Sequence, residues 1–258
     1  MYDGANGEIR SAPVLALRPA HPQRAVILLA SVVFLAFPPL DLWVSGLFYD
    51  PARGGFYLAS QPALILFRRS SGFFMVAICA AVIVSIVLKL ARPDRPSFIP
   101  PRASILMVST LALGPGLVVN LILKDHWGRP RPAQIDVFGG TAPYVDVWRI
   151  TEYCTTNCSF VSGEGSSAIW LMVVALVAPK RWQIPLAIVI GAYAVALSLN
   201  RIAFGGHFLS DVLLSWGVTA LIIAFVHRLL YVDPPPALTD VNLDAALARI
   251  GRALASRP

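Results

Sequence analysis

Apolar positions along this chain do not alternate with polar ones. They run in blocks, separated by short polar stretches rich in proline and glycine. A helix needs about 20 apolar residues to cross the roughly 30 Å hydrocarbon core of a bilayer. Blocks approaching that length predict six spans: 25–40, 72–90, 105–123, 166–177, 184–199 and 209–226. The fourth is short and must extend backward through SFVSGEGSS to cross, which places its polar N-terminal end near the membrane surface or in a cavity. The run 56–67 is too short to span and predicts an interfacial helix ended by Arg68 and Arg69. The tail ALTDVNLDAALARIGRALASR has apolar residues at helical spacing with Arg249 and Arg252 on the polar side, an amphipathic helix. Strand-like runs and solenoid-period repeats are absent, so the expected fold is all-α: a polytopic membrane protein with six transmembrane helices.

Composition supports that pattern. Of 258 residues, 57% are hydrophobic and 14% charged, against about 25% charged in a soluble domain. The net charge of +7 is scattered between apolar segments, which favours a role in membrane orientation over a nucleic-acid partner. Arg10, Arg18 and Arg24 precede the first block; Lys89, Arg92, Arg95 and Arg102 lie between the second and third; Lys180, Arg181 and Arg228 follow later blocks. By the positive-inside rule these segments are cytoplasmic, and so are both termini. The chain then divides into a cytoplasmic segment 1–24, a six-span bundle 25–230 and a cytoplasmic tail 231–258. The first block, which carries no secretory cleavage pattern, reads as an uncleaved signal anchor. Arg68, Arg69, Lys124, Arg129, Arg131, Arg149 and Arg201 fall on the outer face against the rule, which suggests that they have another task.

That topology brings polar blocks together at one membrane face: KDHWGRPRP after the third span, CSFVSGEGSS at the mouth of the fourth, and RIAFGGHFLSD between the fifth and sixth. Lys124, Arg131 and Arg201 offer cations, and a guanidinium can grip phosphate oxygens in bidentate fashion. Ser162 and Gly163 stand where a helix begins, so first-turn N–H groups can receive an oxyanion, and glycine permits close approach. His207 and Asp211 are four apart, on one helical face, so the carboxylate can hold one imidazole nitrogen and leave the other to attack. A histidine attacking a phosphorus held by cations describes a phosphatase. Each element taken alone also has a plain structural reading: a His–Asp hydrogen bond, cations snorkelling to headgroups, a helix cap.

Lys124 with Arg131-Pro132 reads K-x6-RP, and Arg201, His207 and Asp211 read R-x5-H-x3-D. Both resemble the first and third signatures of the type 2 phosphatidic acid phosphatase (PAP2) superfamily, over roughly 120–226. The resemblance implies a PAP2-like six-helix bundle working without metal or cofactor through a phosphohistidine on His207. It implies that Lys124, Arg131, Ser162, Gly163 and Arg201 hold the phosphate and that Asp211 orients His207. The family's middle signature is PSGH, whereas this chain reads Val161-Ser162-Gly163-Glu164. Glu164 therefore replaces the histidine that protonates the leaving alcohol, with His126 as the alternative donor.

The SFVSGE and GGHFLSD segments are most similar to bacterial lipid A phosphatases, which act on the 1- or 4′-phosphate at the periplasmic face of the inner membrane. The partners implied are a phosphorylated membrane lipid and the surrounding bilayer, with no nucleic acid. Undecaprenyl diphosphate, phosphatidylglycerol phosphate and transfer of phosphate to a second lipid stay open on sequence. A transporter is disfavoured by the absence of an internal repeat and by charges that sit at helix ends. Cys154 and Cys158 lie on the outer face, where a disulfide is feasible, while Cys79 within the second span reads as packing.

Overall fold

The computed structural model describes residues 21–256, so the segment 1–20, with Arg10 and Arg18, lies outside the described residues. Within them the architecture is helical. Helix α1, His21–Ala36, stops before Pro38-Pro39, since proline lacks an N–H and disfavours helical geometry in the residue before it. Helix α2, Pro39–Gly46, restarts with that proline in its first turn, bent 89° from α1. Helix α3 spans Pro62–Ala91 and α4 spans Pro101–His126. Within α4 the turns over Ala112–Leu123 widen to π geometry around Pro115, whose carbonyl accepts from Asn120 Nδ2 at 2.7 Å. Helices α5 (Gly163–Val177), α6 (Lys180–Ala203), α7 (Leu209–Val232) and α8 (Asp240–Ala255) complete the chain.

Four helices, α3, α4, α6 and α7, are long and apolar enough to cross a membrane, or five if the bent α1–α2 pair counts as one. The expected count of six is not reached by length. At 1.5 Å per residue α5 covers only about 22 Å. It sits instead at the centre of the bundle, with Ala168, Trp170, Val173 and Ala175 fully buried. Trp170 Nε1 donates to Thr110 Oγ1 of α4 at 3.0 Å, and the hydroxyls of Ser166 and Thr219 of α7 pair at 2.7 Å. A second expectation is corrected at 56–67. Only Tyr57–Ser60 forms a short turn there, and α3 begins at Pro62 and runs unbroken through Arg68 and Arg69, since nothing between them and Ala91 interrupts a helix.

The amphipathic tail is helical and docked. Asp240 accepts from Arg102 Nε and Nη2 at 3.1 and 2.9 Å, and Asp244 accepts from Lys89 Nζ at 2.5 Å, while Ala248 and Gly251 are buried. This holds α8 against the C-terminal end of α3 and the N-terminal end of α4. At the other end of α3, the Leu64 carbonyl accepts from Asn200 Nδ2 of α6 at 3.2 Å. The C-terminal ends of α4 and α6 and the N-terminal ends of α5 and α7 therefore meet at the end of the bundle opposite α8.

Candidate active site

Helix α6 ends on Arg201, and the turn that follows is built from glycines. Gly205 adopts φ +61°, and a side chain there would strike the Phe56 ring at 2.4 Å; one on Gly206 would strike the Arg201 guanidinium at 2.3 Å. That turn delivers His207 into the interior, fully buried, immediately before α7. Its Nδ1 lies 2.7 Å from the Ser159 carbonyl oxygen. A carbonyl only accepts, so Nδ1 carries the proton and Nε2 of the neutral ring keeps its lone pair. Burial pushes the imidazole below its ordinary range, opposed by the Glu164 carboxylate, and so favours the neutral form.

Facing that lone pair is Glu164, in the first turn of α5. Its carboxylate lies 3.6 Å from His207 Nε2 and 3.2 Å from Arg201 Nε. Ser162 caps α5: its hydroxyl accepts from Gly165 N–H at 3.1 Å, and its own N–H donates to the Asp211 carbonyl at 3.2 Å. Gly163 leaves room for Lys124, whose ammonium would stand 3.2 Å from a Cβ at that position. Lys124 in turn feels the charges of Glu164, Arg131 and Arg201. Arg131 donates from Nε and Nη2 to the Asn157 carbonyl at 3.1 and 2.7 Å. That carbonyl lies inside the loop closed by a Cys154–Cys158 disulfide. Cys79, by contrast, is a half-buried free thiol.

Lys124, Arg131, Ser162, Gly163, Glu164, Arg201 and His207 thus converge on one small volume, with Asp211 behind it. His126 does not join them: its ring is exposed, with Nδ1 3.0 Å from the Ile122 carbonyl of its own helix. The His207–Asp211 contact expected from a shared helical face is also absent, because His207 precedes α7. Asp211 instead accepts from Phe208 N–H at 2.9 Å and from Ser159 Oγ at 2.5 Å. Ser159 thereby connects the two, its hydroxyl on Asp211 and its carbonyl on His207.

Arg129, which sequence patterning marks only as a cation on the outer face, has a structural role of its own. It is fully buried, donating to Asp211 Oδ1 at 2.6 Å, Asp41 Oδ2 at 2.9 Å, Ser210 Oγ at 2.8 Å and the Val145 carbonyl at 2.9 Å. Asp41 of α2 completes the cluster by accepting from Ser210 N–H at 2.9 Å. The place of Arg129 among the outer-face cations is one signal; a second is Asp41, an aspartate directly after the first apolar block. Chemically, the arrangement offers an unprotonated imidazole nitrogen, flanked by cations, opposite a carboxylate that reaches the same space.

Comparison with known proteins matches residues 103–233 to the PAP2 superfamily. A lipid A 4′-phosphatase of Rhizobium leguminosarum is 37% identical over 205 residues, covering 74% of this chain and 88% of that protein. One from Rhizobium etli is 35% identical over 206 residues, covering 74% and 79%. One from Francisella tularensis subsp. novicida is 34% identical over 188 residues, covering 72% and 84%. No solved structure matches the chain.

Proposed function

This chain belongs to the PAP2 superfamily, and from that membership we propose that it is a metal-independent lipid phosphatase of a bacterial membrane that removes the 4′-phosphate of lipid A. The observation that carries the chemistry is the buried His207, its Nδ1 proton committed to the Ser159 carbonyl and its Nε2 facing Glu164, which in turn pairs with Arg201. Nε2 attacks the phosphorus, and the bond to the 4′-oxygen breaks. Lys124, Arg131, Arg201, the Ser162 hydroxyl and the first-turn amide of Gly163 neutralise the charge on the phosphoryl oxygens. A 4′-oxygen departs as an ordinary sugar alkoxide and needs a proton: the Glu164 carboxylate, held ionised beside Arg201, takes up the proton of an entering phosphate monoanion and passes it to that oxygen. Water, deprotonated by the same carboxylate, then attacks phosphorus and breaks the N–P bond, releasing inorganic phosphate and restoring neutral His207. Asp211 acts through Ser159, whose position fixes the carbonyl that orients the ring.

The site end faces the periplasm in this reading, and both termini face the cytoplasm. Support comes from Lys89, Arg92, Arg95, Arg102, Lys180, Arg181 and Arg228, which lie at or between the helix ends remote from the site. The bundle 25–230 carries the catalysis and the tail 231–258 braces its cytoplasmic end. Phosphate release by the purified protein, measured side by side on lipid A, undecaprenyl diphosphate and phosphatidylglycerol phosphate in EDTA, tests the substrate and the metal independence together. Lipid A is expected to turn over fastest and to lose its 4′-phosphate. Preference for another lipid, or activity that magnesium restores after EDTA, would refute the reading. Periplasmic labelling of a cysteine placed in 93–101 would overturn the orientation.

A further inference from the structure

Arg68 and Arg69 are adjacent in sequence but differ in placement. Arg69 is exposed, whereas Arg68 turns inward, half-buried, and lines a 260 Å³ cavity together with Arg131, Arg201 and the Gly205-Gly206 turn. Its charge is felt by both Arg131 and Arg201. Three guanidinium groups around a cavity this small repel one another. Arg68 forms no ion pair among the described residues, and the carboxylate nearest the group, Glu164, lies on the His207 side, 3.2 Å from Arg201 Nε. A half-buried arginine with no ion pair among the described residues, held against two more, is suited to bind an anion.

We propose that Arg68, Arg131 and Arg201 form an outer oxyanion subsite that binds a tetrahedral phosphate group next to the reacting position. Arg131 and Arg201 border both places, so a phosphate can pass between the outer subsite and His207 without leaving their guanidinium groups. Glu164 fills the inner position beside Arg201 and His207, so an arriving phosphate meets Arg68 first. The same subsite holds inorganic phosphate on its way out. Arg68 is a binding residue here and takes no part in proton or phosphoryl transfer. The inference deepens the phosphatase reading and rests on it for the identity of the anion.

The test compares Arg68→Gln, Arg68→Lys and, as a control from the neighbouring position, Arg69→Gln in the full-length protein in detergent. Binding of inorganic phosphate, followed by thermal shift, needs no turnover, so it separates failure of this proposal from failure of the phosphatase reading. Loss of one charge-assisted contact should weaken phosphate binding about tenfold in Arg68→Gln. The lipid KM should rise by a similar factor, kcat should hold within about threefold, Arg68→Lys should recover part of the loss, and Arg69→Gln should match the parent. A rise in KM alone assigns the subsite to the lipid headgroup, and a loss of phosphate binding alone assigns it to the departing product. Unchanged phosphate binding and unchanged KM in a folded Arg68→Gln protein would overturn the proposal. So would a fall in kcat with neither constant moved.

Discussion

Replacing Glu164 with glutamine keeps the shape of the side chain and removes both its proton and its charge, so it separates two effects of opposite sign. As the donor to the 4′-oxygen, Glu164 should be worth roughly 10²–10⁴ in rate, the usual range for general acid–base catalysis, or about 3–5 kcal/mol at 1.36 kcal/mol per tenfold. As an anion in the cradle, it competes with the substrate's phosphate for Arg201, 3.2 Å away, and for the space in front of His207 Nε2, 3.6 Å away. A contact to a charged group is worth about 1.5–3 kcal/mol. With the carboxylate 25% exposed, solvent screening points to the lower end. Glu164→Gln should therefore bind vanadate, a mimic of the pentacoordinate transition state, roughly tenfold more tightly while turning over lipid A far more slowly. On nitrophenyl phosphate, whose leaving group needs no proton, the rate loss should be much smaller. The assays are initial rates on both esters and inhibition by vanadate. Equal slowing on both substrates, with vanadate binding unchanged, would refute the argument and leave the carboxylate as a positioning group. His126→Gln should leave both rates near the parent value, since that ring bonds only to its own helix.

His207→Ala should abolish turnover and the acid-labile phosphoenzyme trapped in a quench. Asp211→Asn should leave reduced activity, because its link to the ring runs through Ser159; an Asp211→Asn enzyme as dead as His207→Ala would imply a direct role. Arg129→Met strips the buried carboxylates Asp41 and Asp211 of their common partner and should destabilise the protein by about 3–5 kcal/mol, read as a lower unfolding temperature in detergent. Arg129→Lys should rescue little, because one ammonium cannot reproduce contacts on Nε, Nη1 and Nη2; full stability in either variant would contradict this. Burial lowers the His207 pKa beneath its ordinary 6.5, so the ring stays unprotonated as pH falls through that value. The acid limb of kcat/KM, corrected for titration of the substrate, should have its midpoint below 6.5. A midpoint above it would mean that Glu164 outweighs burial.

Much of this protein can be read from its sequence. Block lengths predict lipid-crossing helices because the bilayer imposes a length on any apolar helix, and α3, α4, α6 and α7 follow. The spacings Lys124–Arg131 and Arg201–His207–Asp211 point to phosphate chemistry through their joint resemblance to PAP2 signatures, since each side chain alone also has a plain structural use at the end of an apolar helix. What patterning could not supply was direction. Arg129 and Arg131 both precede prolines in the same RPRP stretch, yet one is sealed between Asp41 and Asp211 while the other reaches the cradle. Arg68 and Arg69 part in the same way on α3, since consecutive helical residues point about 100° apart and only packing decides which one faces inward. Helix length does not confirm the expected six crossings, because α5 is short and buried, so its length answers to its neighbours and not to the bilayer. Ser159 had no mark at all: it links Asp211 to His207 only because the segment before α5 lies across the start of α7. Local periodicity reports which element a residue joins. Which partner its side chain meets depends on contacts between segments far apart in the chain, and those exist only once the helices have packed.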